Sequence, residues 1–297
     1  MKNYFALLLF ASTLIGCETA VDIDVPLAEK RLVVNALNNP DSTWSVKLSL
    51  TRHVLDNSYT FEIPSATSVT ITDVSTNSIV EQLKISMDDF WYRGSFKPEP
   101  EKEYLLKVVT AKYGTVQASG IIPAKVSIDK IEMDTSNLTA NAVVPIKIHF
   151  IDPPQKKNYY RLSFFESGYF LDFRTKDTIQ YSQPIYFEVD DPSLQSTMNN
   201  SNQLIIEDTF FNGKSYVLAV KINSSIFRNG NPYRKSTALS VILSNLSEPY
   251  YRYATTKSLQ QYSSGDPFAQ PVLVYGNIEN GLGIFGGYNQ SVFVLKK

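Results

Sequence analysis

The sequence contains one cysteine and two histidines among 297 residues, and these shortages exclude several kinds of site. A single cysteine cannot form a disulfide within the chain, so each domain must be held together by its own hydrophobic core. The same residues provide no Cys/His cluster for a structural zinc ion. A nucleophilic hydrolase needs a base beside its nucleophile, and the two histidines leave few candidates for that role.

An excess of charge of either sign is also absent. The chain carries 28 basic and 29 acidic residues, with no long run of either kind. Proteins that bind nucleic acids or anionic lipid surfaces usually show a basic patch or stripe. We therefore expect no nucleic-acid partner.

The apolar run at the N-terminus, Phe5 to Ile15, is too short to cross a bilayer. A membrane-spanning helix needs about 20 apolar residues, whereas a basic start and a short apolar run before a small residue are typical of an export signal. The order Leu14-Ile15-Gly16-Cys17 resembles the lipobox of bacterial lipoproteins.

That resemblance implies cleavage between Gly16 and Cys17 and attachment of acyl chains such as palmitate to the Cys17 sulfur. More than one long acyl chain anchors a protein stably to a membrane. The alternative is an ordinary signal peptide that contains a cysteine near its end. We favour the lipid anchor, because the rest of the chain has no cysteine.

The composition of the remaining chain favours strands over helices. It is rich in aromatic residues, with 18 tyrosines and 17 phenylalanines, and in Val, Ile and Thr. These residue types fit a pleated, half-buried sheet surface. A hydrophobic fraction of 43% is also typical of packed globular structure. We therefore predict a mainly β protein.

The chain divides into a signal peptide, residues 1–16, a polar acidic tether, residues 17–30, and two β-rich domains. The first domain, residues 31–123, contains about seven short strand patterns separated by turn signals, as in an immunoglobulin-like β-sandwich. In the clearest pattern, Trp44, Val46, Leu48 and Leu50 share one face of a strand. The predicted strands are 31–36, 43–51, 67–73, 79–85, 90–96, 103–110 and 115–122.

The second domain, residues 124–297, begins after Pro123, since proline ends a strand and stiffens a junction. A helix is predicted at about 247–262, with Ser247 as its N-cap and Pro249 in its first turn. The predicted strands are 126–133, 144–150, 159–166, 185–189, 204–207, 215–222 and 237–243. The fold class is thus two β-sandwich domains with one short helix near the C-terminus.

Four stretches together resemble a family of Bacteroidota lipoproteins classed as domain of unknown function 4249. They are the lipobox followed by residues 31–36, the stretch 207–216, the helix with its tyrosines, and the stretch 271–287. The resemblance covers nearly the whole chain after Cys17. It implies a lipid-anchored protein, often encoded beside a TonB-dependent outer-membrane receptor, with no established activity.

The resemblance also implies a location in the outer membrane. Surface-exported lipoproteins of this phylum resemble one another in an acidic run just after the cysteine. Glu18, Asp22 and Asp24 match that run in part, because Thr19-Ala20-Val21 interrupts it. We therefore favour display on the cell surface over the periplasmic face.

The glycine-rich stretch near the C-terminus is the first candidate site. Gly281-x-Gly283-x-x-Gly286 follows no βα unit and opens no predicted helix, so a phosphate-binding loop is disfavoured. Glycines here are better explained as a bend in a final strand. The functional alternative is a docking edge for a partner, formed by Asn277, Gly281, Gly283, Phe285 and Gly286.

Other candidates have adequate structural explanations. Asn212-Gly213 predicts a tight hairpin between two strands. His149 lies in an alternating strand pattern and His53 at a strand end, and neither lies near a serine in a nucleophile motif. The pairs Asp88-Asp89 and Asp190-Asp191 fall at predicted turns, where a calcium ion is the functional alternative.

The densest aromatic stretch runs from Tyr159 to Phe173. Such rings can stack on a sugar or peptide ligand, but a hydrophobic core and a sheet face explain them adequately. No catalytic constellation, metal site or cofactor site is predicted.

We therefore expect a non-enzymatic outer-membrane lipoprotein that acts as an accessory or ligand-presenting partner of a TonB-dependent transport complex. The alternative is a structural or adhesive cell-surface lipoprotein. An enzyme that acts on glycans or peptides is a less favoured third hypothesis.

Overall fold

The structure is a computed structural model in which most of the chain after the predicted tether is described. The described residues are 29–53, 55–56, 60–66, 68–136, 138–139, 142–154, 156–191, 194, 202–227, 233–263 and 268–296. The predicted signal peptide and most of the predicted tether lie outside these residues.

Strands form most of the described fold, and their positions follow the alternation of apolar and polar residues. In the first half of the chain they are β1 Leu32–Asn38, β2 Ser45–Leu50, β3 Ser68–Asp73, β4 Ser78–Gln82, β5 Lys84–Ile85, β6 Tyr92–Arg93, β7 Glu103–Thr110 and β8 Gly114–Ile121. In the second half they are β9 Ile128–Met133, β10 Val143–Ile151, β11 Tyr159–Leu171, β12 Thr178–Pro184, β13 Phe187–Val189, β14 Gln203–Glu207, β15 Ser215–Asn223, β16 Arg234–Leu246 and β17 Leu282–Lys296.

The described strands form three sheets. A nine-stranded sheet has the order β12-β11-β16-β17-β1-β2-β6-β5, with β14 also paired to β11. Two four-stranded sheets have the orders β13-β15-β10-β9 and β4-β3-β7-β8. Each small sheet packs on a different half of the large sheet, because each half has its own hydrophobic core.

The first core lies between β1, β2 and the sheet β4-β3-β7-β8. Trp44 is buried at its centre, with its ring 4.8 Å from that of Tyr104 in an edge-on contact. Val46, Leu48 and Leu50 are buried beside it, as the alternating pattern of β2 predicts. The late residues Ile278 and Phe285 also belong to this core.

The second core lies between β11, β16 and the sheet β13-β15-β10-β9. Phe150, Tyr160 and Phe164 are fully buried there. The aromatic stretch of β11 thus turns alternate rings inward. Further along the same stretch, Tyr169, Phe170 and Phe173 are exposed.

Strand β17 belongs to both sandwiches. Its first part, Leu282 to Gly287, pairs in parallel with Val33 to Asn38 of β1. Its second part, Tyr288 to Lys296, pairs antiparallel with β16. The nine-stranded sheet is continuous across the molecule because this one strand crosses from the first sandwich to the second.

An α-helix, α1, spans Glu248–Ser263, and a single 3-10 turn covers Ser224–Phe227. Glu248 and Pro249 open α1, where an acidic residue and a proline are favourable. Tyr250 is buried in a small cluster with Tyr159 and Leu246, so the helix packs on the outer face of the large sheet.

The residue predicted as the N-cap of this helix also ties α1 to β17. The hydroxyl of Ser247 accepts a hydrogen bond from the Gly287 N–H at 3.0 Å. The Ser247 N–H donates to the Gly287 carbonyl at 2.9 Å. The start of α1 is therefore fixed against the point where β17 passes between the two sandwiches.

The predicted fold class is confirmed: the protein is mainly β, in several sheets, with a helix near the C-terminus. The predicted hairpin at Asn212-Gly213 is wrong. Strand β14 pairs with β11 in the large sheet, whereas β15 pairs with β10 and β13 in a small sheet. The turn therefore carries the chain from one sheet to the other, and Gly213 adopts a φ of 69° within it.

The two-domain division at residues 123/124 stays a prediction, and the structure adds one qualification. The two cores divide near that point, except that Ile278 and Phe285 join the first core. The segment from Ile278 to Phe285, which the sequence assigns to the second domain, therefore packs in the core of the first sandwich.

Candidate functional site

The predicted lipidation and cleavage residues, Gly16 and Cys17, lie outside the described residues. Within the described chain, no helix is long and apolar enough to cross a bilayer. The first described contacts are at the end of the predicted tether, just before β1. Lys30 forms an exposed ion pair with Glu62, and the Arg31 guanidinium donates to the Gly281 carbonyl at 3.1 Å.

The five residues predicted as a docking edge are engaged inside the fold. Asn277 is the clearest case: its side chain accepts a hydrogen bond from the Phe285 N–H at 2.9 Å and donates to the Phe285 carbonyl at 2.8 Å. It also donates to the Ser119 carbonyl at 3.2 Å. The Asn277 amide thus takes the place of a neighbouring strand along the first part of β17.

The glycines of this stretch permit close packing against β1, β8 and α1. A Cβ on Gly283 would lie 2.0 Å from the Val34 carbonyl oxygen, and the residue has a φ of 106°. A Cβ on Gly281 would meet Ile278 at 2.9 Å, and one on Gly286 would meet the Ser247 hydroxyl at 3.2 Å. Residues Leu282 to Gly287 of β17 pair with β1, and β16 pairs with β17 only from Tyr288 onward, so the docking edge stays a prediction.

The two histidines lie in different sandwiches. His149 is on β10, and its Nε2 lies 3.6 Å from a carboxylate oxygen of Glu132 on β9. His53 follows β2, and its Nδ1 accepts a hydrogen bond from the Leu55 N–H at 3.3 Å. In these contacts, His149 faces a neighbouring strand and His53 faces its own loop.

The predicted carboxylate pairs are also placed at the surface. Asp89 pairs with Arg93, and Asp190 pairs with Lys221. Among the residues that the structure describes, no group of three His, Cys, Asp or Glu side chains is arranged to hold a metal ion.

A buried polar network near the junction of the two sandwiches was not predicted from the sequence. Asp152 is fully buried, receives a hydrogen bond from the Tyr160 hydroxyl, and accepts another from the Gly213 N–H at 2.7 Å. Asp208, also buried, accepts a hydrogen bond from the Asn158 N–H at 2.7 Å. The network fastens the 152–158 and 208–213 loops to each other.

Burial raises the pKa of the Asp152 carboxyl above its ordinary value, and the neighbouring Asp208 carboxylate raises that pKa further. The hydrogen bonds from Tyr160 and Gly213 oppose this rise, because they stabilise the charged form. Both buried carboxyl groups have protein partners, which indicates a structural role for the network.

A tyrosine-lined groove lies between α1 and the outer face of the large sheet. Arg161 of β11 lies at its base, with its guanidinium carbon 5.4 Å from the ring centres of both Tyr250 and Tyr288. The guanidinium donates to the Tyr250 hydroxyl and, at 3.4 Å, to the Ser244 hydroxyl. The Tyr288 hydroxyl in turn accepts a hydrogen bond from Asn39 at 2.7 Å.

The groove has a volume of about 460 Å³. Its lining consists of Leu37, Arg161, Gln203, Ile205, Tyr250, Tyr253, Ala254, Lys257, Ser258, Gln261 and Tyr262. Burial raises the pKa of the Tyr288 hydroxyl, and the positive charge of Arg161 opposes that rise. The aromatic stretch of β11 was predicted from the sequence as a candidate, whereas Arg161 was not. The two tyrosines that contact Arg161 come from α1 and β17, which lie far from it in the sequence.

A second depression, of about 550 Å³, lies at the other end of β11. Glu166 is buried there, and its carboxylate accepts hydrogen bonds from Arg234 at 2.7 Å, Gln183 at 3.1 Å and Tyr181 at 3.2 Å. Both carboxylate oxygens of Glu166 are therefore already used. This contrasts with the guanidinium of Arg161, which has no carboxylate partner in the described part of the chain.

No curated protein matches this sequence. One solved structure, described as the manganese lipoxygenase of Gaeumannomyces graminis with a partial structure of zonadhesin of Komagataella pastoris, is 8% identical. The match covers 74% of this chain and 76% of that chain with a TM-score of 0.15, which is too low to bear on fold or function.

A protein-family comparison covers much more of the chain. The family described as Domain of unknown function (DUF4249) matches residues 18–293. The match begins just after Cys17 and ends within β17, so it includes both sandwiches and α1. The chain therefore belongs to the DUF4249 family.

Proposed function

We propose that this protein is a non-enzymatic lipoprotein of the outer membrane that acts as an accessory or ligand-presenting partner of a TonB-dependent transport complex. The observation that carries the proposal is the position of the one cysteine of the chain. Cys17 follows Leu14-Ile15-Gly16 at the end of a short apolar run, as in a lipobox. The chain resembles lipoproteins that are often encoded beside such receptors, and this resemblance suggests the partner.

The fold supports display away from the membrane. Strand β1 begins fifteen residues after Cys17, a length that spans at most about 50 Å when extended. Strand β17 starts beside the beginning of β1 and runs parallel to it before it enters the second sandwich. The tether therefore attaches to the far end of the first sandwich, and the second sandwich points away from it.

The placement of the histidines supports a non-enzymatic role. His149 interacts with Glu132 on an adjacent strand, and His53 accepts a hydrogen bond within its own loop. A hydrolytic triad would require a histidine that hydrogen-bonds a nucleophile, whereas the described contact of His149 is with the Glu132 carboxylate.

Substitution of the cysteine tests the lipid anchor. Cells that express the Cys17→Ser variant and are fed a fatty-acid analogue should show no label on the protein, and the protein should leave the membrane fraction. Ser12→Ala, a small change within the same apolar run, is the matched control and should be labelled normally. Labelling of Cys17→Ser equal to that of the control would refute the anchor.

Crosslinking in native membranes followed by purification in mild detergent tests the transport role. A β-barrel receptor should copurify with the wild-type protein and be lost with Cys17→Ser. Deletion should reduce uptake of a nutrient. A deletion strain with normal uptake but altered attachment or envelope integrity would instead support the structural or adhesive role.

A further inference from the structure

The guanidinium of Arg161 is held in place without being neutralised. Its guanidinium carbon lies 5.4 Å from the ring centres of both Tyr250 and Tyr288, and these rings contact each other edge-on with their centres 5.8 Å apart, so the guanidinium packs beside the tyrosine pair. A guanidinium has five N–H donors, and the described neighbours, the Tyr250 and Ser244 hydroxyls, are both neutral. Donors therefore remain for a further acceptor.

Arg234, on the same sheet, differs from Arg161 because its charge is paired with a carboxylate. Its guanidinium forms an ion pair with the buried Glu166 at 2.7 Å. Arg161 forms no such pair within the described residues, although Arg161 is partly buried and Arg234 is exposed. A partly desolvated guanidinium that lacks a protein carboxylate is suited to a carboxylate from outside, which it binds through two parallel hydrogen bonds.

The lining of the groove also favours a negatively charged ligand. Lys257 of α1 adds a second positive charge, and no aspartate or glutamate of the described chain lines the groove. Gln203 and Gln261 are neutral hydrogen-bonding side chains, and Tyr253 and Ile205 provide an apolar wall. The combination of one anion-binding group, amides and an aromatic wall is typical of a small-molecule site.

The groove continues along the outer face of the sheet. Another depression of about 460 Å³ shares Arg161 and Gln203 with the groove and extends towards Ser163, Phe165 and Gln290. Arg161 thus lies where the groove and this extension meet. Among the described residues that line the extension, Arg161 is the only charged one.

We propose that this groove binds a small ligand that carries a carboxylate, with Arg161 as the residue that binds the carboxylate and Lys257 as a second cationic contact. The proposal rests on the ligand-presenting role proposed above and names the ligand chemistry of that role. A sugar acid and a short acidic peptide are two sources of the same group, and both are small enough for a groove of this volume.

Calorimetry on the mature lipoprotein in mild detergent tests the proposal with two acidic probes, digalacturonate and the dipeptide Glu-Glu. Their neutral counterparts, digalactose and Gln-Gln, are the ligand controls. We expect one of the acidic probes to bind and its neutral counterpart to bind at least about tenfold more weakly. The acidic probe that binds identifies the source of the carboxylate.

Three variants locate the binding. Arg161→Met should weaken binding about tenfold or more, and Lys257→Met, a change at an exposed helix position, about threefold. Arg174→Met is the matched control, since Arg174 is exposed and lies outside both the groove and its extension. It should leave the affinity unchanged.

Failure of both acidic probes to bind would overturn the proposal. It would also be overturned if an acidic probe bound to Arg161→Met and Lys257→Met with the same affinity as to Arg174→Met. Circular dichroism of each variant, which reports on the strands of both sandwiches, shows whether it is folded. Neither result depends on the lipid label or on copurification of a receptor. Failure of this site and failure of the proposed function can therefore be distinguished.

Discussion

At the scale of single residues, the buried Asp152 gives the protein a distinct dependence on pH. Its carboxyl has a raised pKa because burial disfavours the charged form. The folded protein therefore holds this proton to a higher pH than the unfolded chain does. The stability that this proton contributes is present at low pH and is lost as the pH rises from about 3.8 through the raised folded-state pKa.

Asp152→Asn removes this titration while it keeps the shape of the side chain. The free energy of unfolding of the wild type, relative to this variant, should fall as the pH rises through that window. Urea unfolding at a series of pH values between about 3.5 and 7 measures the difference. A constant or rising difference would contradict the raised pKa.

Asp73→Asn is a control with the opposite sign. Hydrogen bonds from Ser75, above all from its hydroxyl, lower the pKa of the Asp73 carboxyl. The stability that Asp73 contributes is present above the ordinary pKa and is lost as the pH falls through the lowered one. The free energy of unfolding of the wild type, relative to Asp73→Asn, should therefore increase with pH.

The burial of single residues could be predicted where local alternation controls it. Trp44, Val46 and Leu48 are buried as their spacing indicates. The partners of Asp152 could not be predicted, because Tyr160 and Gly213 reach it through tertiary packing. Arg161 was missed for the same reason, since its aromatic neighbours come from residues 250 and 288.

At the scale of elements, β17 depends on a glycine that lets it approach β1. Gly283 combines a φ of 106° with a backbone contact that leaves no space for a Cβ. Gly114, at the start of β8, has a φ of 75°, but a Cβ added there would meet nothing within 4 Å. Comparison of the two positions therefore separates the free-energy cost of a left-handed backbone, present at both, from the cost of a steric clash, present only at Gly283.

Gly114→Ala should destabilise the protein by about 1–2 kcal/mol, since only the left-handed backbone is penalised. Gly283→Ala should cost about 3 kcal/mol or more, because the added methyl group also displaces the backbone of Val34. Midpoints of urea unfolding measure both. Equal effects would show that β17 does not approach β1 closely enough to exclude a methyl group.

The positions of strands could be predicted better than their partners. Strand β7 spans Glu103 to Thr110 as its pattern indicates, and α1 lies within one residue of its predicted bounds. Strand β12 was missed because its residues are mostly exposed and show little alternation. The Asn212-Gly213 hairpin was wrong because a turn sequence specifies a reversal of the chain but not which sheet the next strand joins.

At the scale of the whole molecule, the shared strand should make the two sandwiches unfold together. The chain has two tryptophans, Trp44 and Trp91, and both lie in the part of the chain that forms the first sandwich. Leu243 is fully buried in the second core. Tryptophan fluorescence therefore reports on one sandwich while a substitution at Leu243 weakens the other.

Leu243→Ala should lower the free energy of unfolding by about 2–5 kcal/mol, and the fluorescence transition should shift as much as the circular dichroism transition. Leu106→Ala, at a buried position of the first core, is the matched control and should shift both signals too. A fluorescence midpoint that Leu243→Ala leaves unchanged would show that the sandwiches unfold independently.

The path of β17 also determines the order in which the protein can be completed during synthesis. A ribosome adds about 5–20 residues per second, so the chain between the end of β8 and the first part of β17 takes roughly ten to thirty seconds to appear. For that time the edge of β1 and the place of Phe285 in the first core have no occupant. The sandwich that is made first is therefore finished last, and its core stays incomplete until the C-terminal part of the chain has been synthesised.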